Sequence, residues 1–113
     1  MSFELNDYQE IAMTTAIYED KIIYPALKLA GEAGEACEKI GKYLRDHGGL
    51  KNLENMDEEY KMGVIKEIGD VMWYCAALSR DLGVRLEDVA SANVAKLLKR
   101  KEEGKLQGSG DNR

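Results

Sequence analysis

The chain has 113 residues, of which 33% are charged and 44% are hydrophobic, and its net charge is −5. This length suits one modest hydrophobic core and is too short for two domains. The basic residues are not gathered into one stripe, and duplex nucleic acid is therefore not expected as a partner, because phosphate binding needs a basic face. No run approaches the ~18 apolar residues of a membrane span, and no secretory signal is recognised. We therefore expect a cytoplasmic protein without a membrane partner.

Two helices are predicted in the first half of the chain. The first covers about 8–18, with Asn6 as its N-cap and a glutamine three residues after the cap. The second covers about 25–47, since Pro25 suits a first helical turn and the glycines at 48–49 end the apolar pattern.

Two further helices are predicted after the polar connection 48–57. Asn55, followed three residues later by a glutamate, predicts the N-cap of a third helix over about 57–82. The fourth helix covers about 86–103, with acidic residues near its start and basic residues near its end.

The fold class predicted from these elements is all-α, a four-helix bundle in a domain spanning 1–105, followed by a flexible tail at 106–113. The second and third helices carry broad apolar surface for so small a chain, and pairing with a copy of itself is expected to complete the bundle. The two cysteines, Cys37 and Cys75, lie in apolar runs and are expected to be reduced, buried thiols.

Two pairs of acidic residues lie inside apolar helical runs. Glu32 and Glu35 lie three residues apart on the second helix, and Glu67 and Asp70 repeat this spacing on the third. Each pair therefore lies on one side of its helix, about 60° apart, and antiparallel packing would bring the four carboxylates together. Such a cluster persists if a divalent cation neutralises it or if its pKa values rise. All-oxygen ligands suit Mg²⁺, Mn²⁺ or Ca²⁺, and ordinary solvated glutamates are the alternative.

A di-iron carboxylate bundle is the competing metal site. It needs Glu-x-x-His motifs from two helices, and the single histidine, His47, does not lie three residues after any of these acids. The sequence therefore favours a hard divalent cation.

Side chains suited to phosphate binding share faces with the acids. Lys39, Lys42 and Tyr74 each follow one of the acids by seven residues and therefore lie about 20° from it around the helix. Asn93, Lys96 and Arg100 lie on one side of the fourth helix. A carboxylate-held cation surrounded by such groups is the layout expected for Mg²⁺-bound phosphates, with solvation or ion pairing as the alternative for each lysine. These candidates are Lys39, Lys42, Tyr74, Asn93, Lys96 and Arg100.

Glycines accompany the acids in both motifs. Gly31 and Gly34 flank Glu32, and Gly69 precedes Asp70. Positions without a side chain allow a substrate or another helix to approach closely, and tight helix packing without a ligand is the alternative.

The motifs "GEAGE" at 31–35 and "KEIGDVMWY" at 66–74 resemble those of the MazG-like branch of the all-α nucleoside triphosphate pyrophosphohydrolases. The likeness covers roughly 7–103 and is greatest to compact, single-domain members found in phages and bacteria. Two departures concern the attacking water and the motif spacing. Gly31 stands where many relatives carry a further acid, and 31 residues, Ala36 to Lys66, lie between Glu35 and Glu67, which is long for the family. The identity of the water-activating base is therefore open.

The resemblance implies hydrolysis of a nucleoside triphosphate to the monophosphate and pyrophosphate. It implies Mg²⁺, with Mn²⁺ as a substitute, held by Glu32, Glu35, Glu67 and Asp70. Glu35 or, less favourably placed, Glu38 would accept the proton of the attacking water. Relatives form dimers or tetramers built from dimers, and we expect the same here.

The resemblance also suggests contacts to the rest of the substrate. Lys39, Lys96 and Arg100 would hold phosphate charge. The fourth-helix segment resembles one in which relatives carry an Asn and a Lys near the substrate, and these match Asn93 and Lys96. Trp73 is a candidate for stacking on the base, and Tyr8 and Gln9 of the first helix are candidates for lining a base pocket. Two alternatives remain: a non-catalytic helical adaptor with a structural cation, and a regulatory relative that binds triphosphates with negligible turnover.

Overall fold

The computed structural model describes residues 2–49 and 53–111 of the chain. Four long helices dominate these residues, and no strand occurs among them. The helices are α1 (Leu5–Met13), α2 (Ile23–His47), α3 (Glu58–Asp81) and α4 (Leu86–Glu102). The predicted all-α fold class is confirmed.

The start of α1 differs from the prediction. The helix begins at Leu5, and the backbone N–H of its N-cap, Glu4, donates to the carboxylate of Asp7 at 2.9 Å. Asn6, the predicted N-cap, instead lies inside the helix, where its side-chain amide donates to Glu87 at 2.8 Å. The cap prediction was wrong because a distant partner on α4 takes up the asparagine side chain.

The end of α1 also differs from the prediction, which carried the helix further. Helix α1 ends at Met13, and two threonines follow it. The hydroxyl of Thr14 donates to the carbonyl of Ile11 at 2.6 Å, and that of Thr15 donates to the carbonyl of Ala12 at 2.7 Å. Such local side-chain hydrogen bonds offer the backbone an alternative to continuing the helix.

The ends of the other helices lie close to the predicted positions. Helix α3 is capped by Asp57, whose Oδ1 accepts from the backbone N–H of Tyr60 at 2.8 Å, so the predicted cap at Asn55 was wrong. Gly83, with a φ of 81°, follows α3 as predicted. Residues 50–52 of the predicted connection lie outside the described residues.

Helix α3 is central to the fold. It contacts each of the other three helices, whereas α2, as far as the structure describes it, contacts α3 alone. The ring of Tyr43 on α2 lies 4.7 Å from that of Tyr60 near the start of α3, and the ring of Tyr24 lies 6.1 Å from that of Tyr74 further along. Helices α2 and α3 are therefore antiparallel.

Gln9 joins α1 to the end of α3 and the start of α4. Its Nε2 donates to the carbonyls of Ala76 at 3.1 Å and Val84 at 3.4 Å, and its Oε1 accepts from the backbone N–H of Leu86 at 2.9 Å. Ala76 and Ala77 are fully buried beside this contact. The best-packed part of the chain therefore lies where α1, α3 and α4 meet.

Elsewhere the fold is open. The radius of gyration is 17.1 Å, whereas a compact chain of this length has a radius of about 13 Å. Many large apolar side chains on α2, α3 and α4 are exposed to solvent. They include Leu27, Ile65, Ile68, Met72, Val94 and Leu98.

Two further predictions concern the cysteines and membranes. Both thiols are free, but Cys37 is exposed and Cys75 only half-buried, so the prediction that both are buried was wrong. Among the described residues, none covers the face of α2 that carries Cys37 enough to bury its thiol. None of the described helices combines the length and apolar character needed to cross a bilayer.

Candidate active site

Antiparallel packing of α2 and α3 brings acidic side chains of the two helices together. One carboxylate oxygen from each of Glu32, Glu35 and Glu67 lies within 4.8 Å of the other two. Glu32 and Glu67 are half-buried, and Glu35 is exposed. We call these three residues the acid cluster. It contains three of the four side chains that were predicted to bind a metal.

Asp70, the fourth predicted ligand, lies at the edge of the acid cluster. Its side chain is exposed and is not part of the group of three. It lines a cavity of about 290 Å³ together with Glu32, Trp73 and Tyr74. Its negative charge contributes to raising the pKa values of Glu32 and Glu67. Asp70 is therefore electrostatically coupled to the cluster.

The electrostatics of the acid cluster favour a bound cation. Partial burial and then the charge of Glu35 raise the pKa values of Glu32 and Glu67 above their ordinary value. The Oε2 atom of Glu67 is buried and has no hydrogen-bond partner among the described residues. An unpaired buried acceptor is destabilising, and a divalent cation that prefers oxygen ligands would pair with it. The donor set therefore fits Mg²⁺ or Mn²⁺.

Two lysines lie beside the acid cluster. Lys39 and Lys42 line a cavity of about 260 Å³ with Glu35, Glu38 and Glu67. The charge of Lys39 opposes the rise in the pKa of Glu67. Lys42 forms an ion pair with Glu38 at 3.2 Å, and both of these side chains are largely exposed. Of these two lysines, Lys39 is therefore the one that is electrostatically coupled to the cluster, and the charge of Lys28 likewise opposes the rise in the pKa of Glu32.

The predicted contacts from α4 do not reach the acid cluster within one chain. No contact joins α4 to α2 in the described part of the chain. Lys96 and Arg100 instead bind the carboxylate of Asp111 in the tail, at 3.2 Å and 3.3 Å, and Asn93 is exposed. The charges that chiefly change the pKa values of the cluster lie on α2 and α3. The prediction that all these groups surround one cation is therefore not met by a single copy.

The two predicted aromatic residues, Trp73 and Tyr74, adjoin the acid cluster. They line one cavity with Glu32. Burial, a hydrogen bond with Tyr24 and the nearby negative charges of Glu32 and Asp70 raise the pKa of Tyr74 to about 12. The phenol is therefore neutral at physiological pH and can donate a hydrogen bond.

The two predicted residues of α1 differ in their surroundings. Tyr8 is half-buried, and its pKa is raised by burial and by the charges of Cys75 and Asp70, which places it near the edge of the acid cluster. Gln9 is buried, and both ends of its amide bind protein groups. Its observed contacts are structural.

The glycines of the two motifs are not required by packing within the chain. Apart from the backbone of its own helix, a Cβ atom added at Gly31, Gly34 or Gly69 would meet no atom of the described residues within 4 Å. The close approach of another helix of the same chain, one of the two purposes predicted for these glycines, is not found.

Sequence reasoning missed Tyr18, Tyr24 and Asp81. The hydroxyl of Tyr18 donates to the Oδ2 atom of Asp81 at 2.7 Å, and the rings of Tyr18 and Tyr24 stack with their centroids 5.2 Å apart. The helices predicted from the sequence end at Tyr18 and begin again at Pro25, so Tyr24 falls in the connection between them. The aromatic residues of this segment were a local signal, but Asp81, the partner of Tyr18, lies 63 residues away on α3.

The site is thus a carboxylate cluster between two antiparallel helices of an all-α protein. Residues 25–104 match the MazG nucleotide pyrophosphohydrolase domain, and the chain therefore belongs to this family. Membership indicates nucleotide pyrophosphohydrolase activity in general terms, and it confirms the resemblance that the two acidic motifs suggested.

Two relatives extend this comparison. The chain is 43% identical to the Gene 37 protein of Mycobacterium phage L5, with 94% of this chain and 96% of the relative covered. It is 38% identical to the uncharacterized protein YvdC of Bacillus subtilis (strain 168), with 66% of this chain and 70% of the relative covered. No solved structure matches the chain significantly.

Proposed function

We propose that this protein hydrolyses nucleoside or deoxynucleoside triphosphates to the monophosphate and pyrophosphate and requires Mg²⁺. The observation that carries the proposal is the acid cluster, in which three carboxylate oxygens lie within 4.8 Å of one another. Its members come from the two motifs that the resemblance assigned to metal binding. Control of the nucleotide pool, or removal of aberrant nucleotides, is the corresponding cellular role.

Glu32, Glu35 and Glu67 would hold the cation, with Asp70 at the edge of the site as the fourth candidate. The buried, unpaired Oε2 atom of Glu67 supports this assignment. A bound Mg²⁺, or Mn²⁺ in its place, supplies charge neutralisation for the phosphates and polarisation of their oxygens.

The side chains of the site have separate roles in the proposed reaction. Glu35 is the exposed member of the acid cluster, so it is the best placed to accept a proton from the attacking water. Glu38 is the weaker candidate, because it is already paired with Lys42 at 3.2 Å. Lys39 would hold phosphate charge beside the cluster.

A homodimer, or a tetramer built from dimers, is the proposed assembly. The open fold and the exposed apolar side chains of α2, α3 and α4 support it. In such an assembly Asn93, Lys96 and Arg100 of one copy would approach the acid cluster of another. Mixing an inactive Glu35→Gln protein with an inactive Lys96→Ala protein is then expected to restore activity. Failure of the mixture, together with a monomeric mass by sedimentation, would contradict the shared site.

A cytoplasmic location and the absence of a duplex nucleic-acid partner complete the proposal. They are supported by the composition and by the scattered basic residues of an acidic chain. Binding of duplex DNA at physiological salt would contradict the proposed absence of a duplex nucleic-acid partner.

Product analysis tests the proposed reaction. The protein is incubated with Mg²⁺ and each common nucleoside and deoxynucleoside triphosphate, and the nucleotides and pyrophosphate are quantified. We expect monophosphate and pyrophosphate without a diphosphate intermediate. Glu35→Gln should lower the rate by about 10²-fold or more, as expected for loss of a general base, and Asp70→Asn should also impair it. Glu10→Gln, which alters an exposed acid on α1, is the matched control.

The absence of turnover across the panel would refute the enzyme proposal. Titration with a nonhydrolysable triphosphate analogue would then separate the two alternatives. Binding of the analogue would favour a regulatory nucleotide-binding protein, and its failure to bind would favour an adaptor with a structural cation.

A further inference from the structure

A cavity rich in basic residues lies at the C-terminal end of α4. Its volume is about 550 Å³. Basic side chains are stabilised near the negative end of a helix dipole, and here they outnumber the acidic ones although the chain as a whole is acidic. We call this cavity the basic pocket. The charged residues that line it are Lys96, Lys99, Arg100, Glu103, Lys105 and Asp111.

The chain turns back on α4 where that helix ends. The N–H of Lys105 donates to the carbonyl of Arg100 at 2.7 Å, and the N–H of Gly104 donates to the carbonyl of Lys101 at 3.3 Å. Gly104, with a φ of 68°, has the left-handed conformation. These contacts form a Schellman motif, in which glycine is favoured because it has no Cβ atom. Residues 105–111, which we call the tail segment, therefore begin by reversing direction and return to Arg100.

The last described residue of the tail segment, Asp111, pairs with two cations of the basic pocket. Its carboxylate lies 3.2 Å from the Nζ atom of Lys96 and 3.3 Å from the Nη2 atom of Arg100. The same Nη2 atom donates to the carbonyls of Gly110 at 3.3 Å and Asp111 at 3.0 Å. Hydrogen bonds and charge from Lys96, and then from Arg100, hold the pKa of Asp111 below its usual value. The tail segment therefore presents an ionised carboxylate to the basic pocket at physiological pH.

The tail segment satisfies Arg100 only in part. The Arg100 side chain is 8% exposed, and its Nε atom is buried without a hydrogen-bond partner among the described residues. The contacts with the tail segment all fall on the Nη2 atom. A guanidinium can bind an oxyanion through two nitrogen atoms, and a buried donor without a partner is destabilising. The bound tail segment is therefore not the best acceptor that Arg100 can have.

The hold of the tail segment on the basic pocket is also weak. The Asp111 side chain is 83% exposed and that of Lys96 is 39% exposed, and ion pairs exposed to solvent contribute little stability. A polyphosphate carries several negative charges and can also engage Lys99, which is exposed at the same pocket. Such an anion is therefore able to displace the single carboxylate of Asp111.

We propose that the tail segment is autoinhibitory, because Asp111 competes with the phosphates of the substrate for Lys96 and Arg100. The inference rests on the proposed function, in which these two residues of one copy approach the acid cluster of another. Release of Asp111 then frees both cations for the neighbouring site. A tail segment bound in about four of every five molecules would weaken the apparent affinity for phosphates roughly fivefold.

Calorimetric titration of the full-length, Mg²⁺-loaded protein with inorganic triphosphate tests the competition. Asp111→Asn removes the charge with little change of shape, and Asp111→Glu retains it. Because Asp111 is exposed and lies outside the helices, both variants should fold. We expect Asp111→Asn to bind triphosphate roughly fivefold more tightly than the wild type, and Asp111→Glu to stay within about twofold of it. Equal affinities of Asp111→Asn and the wild type would overturn the proposal.

Two controls separate competition at the basic pocket from a general effect of net charge. Asp88→Asn makes the same change of charge at an exposed position on α4. That position lies about 18 Å along the helix from Arg100, beyond the screening length of about 8 Å. A gain in affinity equal to that of Asp111→Asn would overturn the proposal. In a Lys96→Ala protein the gain caused by Asp111→Asn should shrink, and an undiminished gain would also overturn it.

Turnover supplies a separate readout, and the two proposals fail in distinguishable ways. In an active enzyme Asp111→Asn should lower KM for nucleotides without changing kcat, because it frees cations and leaves the acid cluster as it is. An unchanged KM would overturn the autoinhibitory role. Turnover with equal triphosphate affinities of the wild type and Asp111→Asn would retain the enzyme proposal and refute the competition. Tighter triphosphate binding by Asp111→Asn in a protein without turnover would refute the enzyme proposal and retain the competition.

Discussion

Gln9→Met is expected to lower the free energy of unfolding while leaving nucleotide turnover unchanged. Methionine has a similar length but cannot form the three hydrogen bonds of the Gln9 amide. Leu86 is the first residue of α4, so its N–H has no partner within the helix and would be left buried and unpaired. Such a group costs about 1–3 kcal/mol, and the loss of each other bond costs about 0.5–1.5 kcal/mol.

The expected loss is therefore about 2–4 kcal/mol, because the bond to Val84 is long and contributes little. For a domain of this size a loss of that magnitude lowers the melting temperature by roughly 10 °C. Urea unfolding followed by circular dichroism measures the change. Glu10→Met, which replaces the exposed neighbour on α1, should stay within about 0.5 kcal/mol of the wild type.

Turnover assays on the same variants, well below the melting transition, separate structure from substrate contact. Both ends of the Gln9 amide bind protein groups, so kcat and KM should match the wild type. A stability loss below about 0.5 kcal/mol would refute the structural role argued from these hydrogen bonds. Unchanged stability with a raised KM would restore the sequence-based prediction that Gln9 lines the base pocket.

Three further predictions concern the carboxylates on α3. Glu67→Gln should raise the melting temperature of the metal-free protein, because it removes a half-buried charge next to Glu35. The same variant should be stabilised less by added Mg²⁺. Equal Mg²⁺-induced increases in the melting temperatures of the variant and the wild type would contradict a metal ligand at this position. Asp81→Asn should lower the free energy of unfolding, because the Oδ2 atom of Asp81 accepts hydrogen bonds from the hydroxyl of Tyr18 at 2.7 Å and from the backbone N–H of Ile22 at 3.0 Å; an unchanged melting temperature would contradict this structural role. Burial raises the pKa of Asp81, but hydrogen bonds from Ile22 and Tyr18 and the charge of Arg80 outweigh it, and the net pKa lies below 3.8. The ionised carboxylate of Asp81 therefore contributes its full stabilisation at pH values above its unfolded pKa. The difference in unfolding free energy between the wild type and Asp81→Asn should shrink as the pH falls through the folded pKa. A difference that is constant with pH would contradict this contribution.

The parts of the site that the sequence predicted are those fixed by helix geometry. Glu32 and Glu35 lie three residues apart on one helix, and the antiparallel packing of α2 and α3 follows from one short connection. The proximity of Glu32 and Glu35 to Glu67 could therefore be predicted from the helical period and from the antiparallel direction of the two helices. The metal-binding role of these residues is supported by the geometry and stays a proposal.

The parts that the sequence did not predict depend on hydrogen bonds between residues far apart in the chain. Gln9 bonds to Leu86 across 77 residues, and Tyr18 bonds to Asp81 across 63. A local sequence pattern gives no indication of such distant partners. A polar residue such as Gln9 is then predicted to be a cap or a ligand-binding residue. The backbone conformation of Ile22, with a φ of 69°, was not predicted for the same reason: its N–H donates to the distant Asp81, and a positive φ opposes the preference of isoleucine.

The openness of the site has a consequence for how the negative charge of a triphosphate would be balanced. One copy places Lys28, Lys39 and Lys42 near the acid cluster, and Lys42 is already paired with Glu38. Within the described residues α4 does not touch α2, and its Lys96 and Arg100 bind the carboxylate of Asp111, so neither side chain is paired with the acid cluster of the same copy. The open space beside the motif glycines and the exposed apolar faces lie where a second chain could pack. Charge balance and apolar burial thus point to the same proposed assembly.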